Sequence, residues 1–392
     1  MRVLHVHSGN LYGGVETFLL TLAREASRTP HMSPLFALCF DGRLTRELDA
    51  CGCAPAMLGR VRLSRPTTVW RARRSLAEYL SRHTIDVVVC HQAWPYVIFR
   101  HTIRRAGLPV VFWLHTASEG RNWLDRWART LHPDLAVSNS RFTAQCLSRW
   151  FPTARVEWIY CPLMMQSTSD GNSSQRESVR RSLETAPDDI VVVQVGRLEA
   201  LKGHLDALEA LARLRDIGDW TYWIVGGPQR PSDERYLRQL QTAAHRLGVA
   251  ERVRFLGERS DVPTLLGAAD VYCQPNVRPE AFGIALVEAL GAGLPVVTSA
   301  TGGACEIVDG SCGLLIPPHD IAALSAALRH LVTNHEARLT LGRAARNRPR
   351  ALCDPSRQMK RIEQLLASVV RPADGSYRPA VASPHPADFA QR

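Results

Sequence analysis

Short apolar runs alternate with longer amphipathic stretches along most of the chain. "RVLHVHS" reads as a strand and leads into a helix predicted over Glu16–Ser27. "SPLFALCF", "IDVVVCH", "LPVVFWLH" and "LHPDLAVS" repeat the theme. Strands that alternate with helices predict an α/β fold with a parallel, doubly wound sheet. The texture then changes. "MMQSTSDGNSSQRES" is polar and almost without apolar anchors, and its residues 166–178 read as a linker between a domain over 1–165 and another over 179–350.

Past the linker the alternation restarts. "DIVVVQVGRL", "WTYWIVGG", "VRFLG", "DVYCQP" and "PVVTS" read as strands, separated by helices such as "KGHLDALEALARLR" and "GIALVEALGAG". Two Rossmann-like halves then face each other across a cleft, with ligands expected at the carboxyl ends of the strands. A last helix near 355–370, in "SRQMKRIEQLLASVV", is expected to pack back on the first domain, and the tail 371–392 to be disordered.

Composition narrows the class. The hydrophobic share of 45% and charged share of 22% are those of a globular protein. No run of 18 apolar residues occurs, so no membrane-spanning helix is expected. "MRVLHVHSG" carries no secretory pattern, which predicts a cytoplasmic protein. Cys51 and Cys53 form a CxC without a second pair, so the ten cysteines predict neither a zinc site nor a disulfide framework.

Charge adds an asymmetry. Residues 1–165 hold 21 Arg and no Lys against 11 Asp plus Glu, a surplus of +10 out of the chain's +11. A basic first half suits peripheral contact with an anionic membrane, or an acidic partner; solvated arginines are the plainer reading. No nucleic-acid motif accompanies the charge, so nucleic acid is not an expected partner.

Four stretches of the second half end strands or begin helices. In "VGRLEALKG", Arg197 and Lys202 stand at a helix entry, a combination suited to a diphosphate. Lys202 is one of two lysines in the chain, so a compact ammonium is selected there. Gly226 and Gly227 end a strand where backbone can approach a ligand. In "RPEAFGIALVEALGAGLPVV", Glu280 precedes a helix start near Phe282 or Gly283, and Glu288 lies within the helix. "TGGACEI" adds Gly302, Gly303 and Glu306. Carboxylates beside cations and bare amides describe a site for a sugar joined to a nucleoside diphosphate.

The order of "GGVE", the histidine ending "VVFWLH", "VGRLEALKG", "VRFLG", "PEAFGIALVEALGAGLPVV" and "TGGACEIV" resembles the GT-B retaining glycosyltransferases of glycosyltransferase family 4. The resemblance implies that Arg197 and Lys202 hold the donor diphosphate, Glu280 contacts the donor sugar and Glu288 the ribose. It further implies donor contacts at Phe282, Gly283, Ile284, Gly226, Gly227, Gly302 and Gly303. Gly13 and Gly14 would face the phosphate from the first domain, and His115 would lie beside the sugar, as a neutral donor or, less well, a base. "IYCPLMMQ" lacks the family's usual Asn-Gly, and Thr116 stands where an acidic residue often follows the histidine.

No Asp-x-Asp occurs, so a metal-independent reaction with no cofactor is expected, the nucleotide-sugar acting as co-substrate. The resemblance implies front-face attack, with the departing phosphate assisting deprotonation of the acceptor. A UDP-sugar is the first expectation and a GDP-sugar the second, with a saccharide or lipid-linked acceptor in polysaccharide or glycoconjugate assembly. Trp94, Tyr96, Trp123 and Trp127 are candidates to meet that acceptor.

Other classes fit less well. "SGNLYGGVE" is GxxxGG rather than the GxGxxG of nicotinamide enzymes. A phosphorylase needs a pyridoxal lysine, and only Lys202 and Lys360 exist. The alternatives within the fold are a natural-product glycosyltransferase, a nucleotide-sugar epimerase and a non-catalytic sugar-nucleotide binding protein.

Overall fold

A computed structural model describes residues 1–164 and 173–370. The first part builds a seven-stranded parallel sheet from β1 (Arg2–His7), β2 (Ser33–Leu38), β3 (Ala56–Met57), β4 (Val87–His91), β5 (Val110–Leu114), β6 (Leu135–Ser138) and β7 (Val156–Trp158), ordered β3-β2-β1-β4-β5-β6-β7. The second builds a six-stranded parallel sheet from β8 (Ile190–Val195), β9 (Trp220–Val225), β10 (Val253–Gly257), β11 (Val271–Gln274), β12 (Val296–Ser299) and β13 (Gly313–Ile316), ordered β10-β9-β8-β11-β12-β13. Every residue of the central strands β4, β5 and β9 is buried, the mark of strands covered by helices on both faces. This is the two-domain, doubly wound α/β architecture that the resemblance implies.

Strand order locates the cleft. Each chain half runs outward from its first strand and then returns to that strand's other side, so the order reverses between β1 and β4 and between β8 and β11. Crossovers diverge at such points and leave a crevice beyond the carboxyl ends. The loops after β1, β4, β8 and β11 are therefore the ones placed to meet a ligand.

One boundary shifts. The linker expected over 166–178 is helical from Ser173, within a helix Ser173–Ser182. That helix is held by guanidinium groups as well as by Val179, which packs against the apolar core. Arg180, 2% exposed, donates to the carbonyls of Ala268, Pro187 and Asp189 and pairs with Asp270 at 2.6 Å. Hydrophobic periodicity is blind to an anchor of this kind. The rest of the expected linker, and the tail 371–392, lie outside the described residues.

The helix Pro355–Ala367 returns to the first domain, burying Met359, Ile362, Leu365 and Leu366. Glu363 accepts the His31 amide at 3.1 Å, and the Arg361 guanidinium lies 4.9 Å from the centre of the Trp158 ring. One buried apolar cluster consequently runs through both domains. Among the described residues no helix is long and apolar enough to cross a membrane.

Candidate functional site

On the second-domain rim, the loop after β8 carries Arg197 and Lys202, and the loop after β11 carries Glu280. Lys202 Nζ is hydrogen-bonded to Glu280 Oε2, with the two side chains 17% and 16% exposed. Gln274, at the end of β11, steadies the same carboxylate oxygen through Nε2 at 3.2 Å. Its amide orientation is set by the Tyr272 hydroxyl, which donates to Gln274 Oε1 at 2.9 Å. Nearby, the Asn276 amide nitrogen is buried with no partner among the described residues. Sequence reasoning passed over Gln274 and Asn276. The available signal was two amides directly ending a buried apolar run, in "VYCQPN".

Glu280 is held through its backbone. It bridges Gly302, and its carbonyl accepts the Gly303 amide at 2.8 Å. Gly302 has φ +64°, and a Cβ there would stand 2.3 Å from the Glu280 carbonyl oxygen, so only glycine lets the two loops meet. The helix Ile284–Gly291 begins just beyond, with Gly283 as its cap and no capping side chain. Its first amides have no intrahelical acceptor.

Glu288 is half-buried on that helix. Burial pushes its carboxyl up to about 7, and it has no hydrogen-bond partner among the described residues. The Tyr272 phenol lies within the influence of both carboxylates. Burial raises it well above its ordinary value, and the charges of Glu288 and Glu280 push the same way.

The first domain closes the cleft from the opposite side. A Cβ on Gly13 would lie 3.6 Å from Arg197 Nε, and one on Gly14 would lie 3.4 Å from Ile284 Cδ1. The glycine loop thus rests on the arginine and on the start of the helix. Arg197 is also paired with Glu199 at 3.0 Å. Below Gly13, Glu16 is buried and meets His7 Nε2 at 2.7 Å. Glu16 is another residue that sequence reasoning did not single out, although it ends the "GGVE" motif. The Tyr12 peptide clasps the Gln229 side chain, donating to Oε1 at 3.1 Å and accepting from Nε2 at 3.0 Å.

Three groups of residues make contacts that the sequence does not announce. Gly226 and Gly227 serve contacts between loops: a Cβ on Gly226 would meet the Gly196 carbonyl oxygen at 1.9 Å, and one on Gly227 the Glu258 nitrogen at 2.9 Å. Glu306, which the sequence puts on the same rim, joins the domains instead. Its carboxylate accepts the amides of Arg141 at 3.0 Å and Phe142 at 2.8 Å and the Tyr160 hydroxyl at 2.8 Å, capping a first-domain helix. Phe282 is buried, and its ring stacks on Tyr160 at 5.4 Å.

His115 is the third. Trp113 Nε1 donates to Asn139 Oδ1 at 2.8 Å, so Asn139 Nδ2 faces His115 Nδ1 at 2.9 Å. His115 Nε2 then donates to His91 Nδ1 at 2.8 Å, and His91 Nε2 to His5 Nδ1 at 2.9 Å. An indole can only donate, which sets the direction of the whole relay. Burial holds His115 and His91 well below 6.5 and brings His5 down to about 3, so the relay is neutral. In this arrangement His115 has no free ring nitrogen for a base or for a hydrogen bond to a sugar. The cause is the sheet order, which stacks residues of β1, β4 and the end of β5 side by side.

Residues 12–164 match the model described as Glycosyltransferase Family 4, and residues 175–348 that described as Glycosyl transferases group 1. The chain is 33% identical over 199 residues to the D-inositol 3-phosphate glycosyltransferase of Salinispora tropica, a match covering 49% of this chain and only 40% of that protein. It is 38% identical over 340 residues to the phosphatidyl-myo-inositol mannosyltransferase of Mycobacterium leprae, covering 84% of this chain and 86% of that one. The crystal structure of Anabaena Alr3699/HepE in complex with UDP and glucose superposes with a TM-score of 0.81 at 23% identity, over 94% of this chain and 100% of that one, a likeness of fold. The chain belongs to the GT-B glycosyltransferases of family 4, group 1.

Proposed function

We propose that the protein is a metal-independent, retaining glycosyltransferase. Its donor is a nucleoside-diphosphate sugar, a UDP-sugar first and a GDP-sugar second. Its acceptor is a hydroxyl on a saccharide or lipid-linked saccharide, in polysaccharide or glycoconjugate assembly at the cytoplasmic face of the membrane. The observation that carries the reading is the meeting of Arg197, the Lys202–Glu280 pair and Gly13 at the two crevices where strand order reverses. The UDP and glucose of the Anabaena complex support the donor class, and the Mycobacterium leprae relative's lipid-borne polyol supports the acceptor class.

On this reading Arg197 and Lys202 take up the charge that develops on the leaving diphosphate, the work a divalent cation does elsewhere. Lys202 exchanges Glu280 for the phosphate, and Glu280 turns to the sugar hydroxyls. With both nitrogens of His115 engaged, the acceptor's proton passes to the departing phosphate oxygen. The test is a thermal-shift titration with UDP, GDP, ADP and NAD, without added metal. Stabilisation by one nucleoside diphosphate, lost in Arg197→Ala and Glu288→Ala, is the expected outcome. A response to NAD alone, or to none of the four, overturns the reading.

Glu288 adds a pH signature. Its carboxyl is half-protonated near pH 7 in the free protein, and a ribose diol donates best to the ionised form. Affinity for a nucleotide sugar, whose own phosphates do not titrate in this range, should weaken as pH falls through 7. The limiting slope is about tenfold per pH unit. Calorimetric titration from pH 5.5 to 8.5 reads this out, and Glu288→Gln should flatten the profile. An unchanged slope in that variant assigns the dependence to another group.

A further inference from the structure

Three of the large apolar side chains left exposed are tryptophans: Trp70 at 60%, Trp123 at 62% and Trp127 at 43%. All three line one groove of 380 Å³ in the first domain. The groove lies between the start of the helix Pro66–Arg82, Ile98 of the helix Ala93–Arg105, and the short helix Trp123–Arg129, and Leu63 and Val69 complete its apolar lining. The Trp123 and Trp127 rings are 6.5 Å apart, and none of the three indole N–H groups meets a protein acceptor among the described residues. Indoles this exposed, grouped rather than scattered, mark a surface that something covers.

The rim identifies the cover. Residues 60–74 contain six arginines and no carboxylate. Arg73 donates to the Ile98 carbonyl at 2.7 Å, and Arg74 pairs with Glu78 at 2.9 Å. Arg60, Arg62, Arg65 and Arg71 are exposed, with no carboxylate partner among the described residues. A neutral saccharide needs acceptors as well as donors, and guanidinium groups offer donors alone. A second copy related by a two-fold axis would set this cationic rim against itself. An aliphatic floor under clustered indoles, beside an arginine-rich segment that lends Arg73 to the lining, matches the boundary between acyl chains and lipid phosphates.

We propose that this groove docks the first domain onto an anionic lipid bilayer, with the three indoles at headgroup level and the arginines on lipid phosphates. The surface gives the acceptor reading above its physical setting, because the helix Trp123–Arg129 comes after the loop that leaves β5 at His115. The docking itself does not depend on which donor is used.

The experiment is flotation of the full chain with vesicles of phosphatidylcholine alone and of phosphatidylcholine with phosphatidylglycerol. Co-flotation with the anionic vesicles only, reversed by high salt, is expected. Trp70→Ser/Trp123→Ser/Trp127→Ser should lower partitioning by at least about tenfold. Each of Arg62→Gln, Arg65→Gln and Arg71→Gln should lower it about fivefold. Unchanged thermal unfolding, and an unchanged nucleotide-induced shift, show that these variants are folded with the donor site intact. That titration is also where failure of the donor reading would appear, separately from failure of docking. Absence of co-flotation at low salt overturns the proposal, as does wild-type flotation of the tryptophan variant. Capture by a neutral oligosaccharide or homopolymeric RNA in place of the vesicles overturns it too.

Discussion

Lys202→Ala should lower the rate of nucleoside-diphosphate release from the sugar donor by about 100- to 1,000-fold, roughly 2.7–4 kcal/mol at the transition state. Lys202 is bonded to Glu280 in the free protein, and both side chains are largely withdrawn from water. The ammonium therefore acts in a low-dielectric setting, where charge developing on a leaving phosphate is felt strongly. Since that charge is greatest at the transition state, kcat should fall more than KM rises. Lys202→Arg should recover only part of the loss, because a planar guanidinium does not replace a compact ammonium between Glu280 and a phosphate. A thermal scan separates this effect from misfolding. Release within a few fold of wild type in Lys202→Ala would remove the lysine from the proposed clamp.

Asp270→Ala should destabilise the protein by about 3–5 kcal/mol while leaving nucleotide affinity in place. Asp270 precedes β11, at the end away from the site. One carboxylate oxygen accepts from Arg180 at 2.6 Å and from the Val191 amide at 2.7 Å, and the other accepts from Arg176 at 2.6 Å. Without it Arg180 is a buried cation whose remaining hydrogen bonds all go to carbonyls, and burial already lowers its pKa despite the carboxylate. Asp270→Ala combined with Arg180→Met should recover much of the loss, since the uncompensated charge, more than the missing pair, is what costs stability. Urea unfolding of the two variants reads this out. A single variant as stable as wild type would mean that Arg180 reaches water or another carboxylate.

The amino-acid sequence determined the architecture. Apolar runs of strand length at helix-spaced intervals leave few alternatives to two doubly wound sheets, because each run must be buried on both faces by the intervening helices. The glycines of "TGGACEI" and "GGVE", and the cations of "VGRLEALKG", were legible for a related reason. Backbone contacts and helix entries demand particular residue types at particular local spacings.

What only the tertiary structure decided are the partnerships of polar groups far apart in the chain. His5, His91 and His115 became one neutral relay because β1, β4 and β5 are neighbours, and the Asn139 amide then occupied the remaining nitrogen of His115. Glu306 left the rim for the amides of Arg141 and Phe142. Gln274 joined Glu280 through an orientation imposed by Tyr272. The helix Ser173–Ser182 is anchored where Arg180 meets Asp270. Hydrophobic periodicity reports whether a position is buried. It carries no record of which donor will meet which acceptor, because hydrogen bonds are directional and strand order sets the partners.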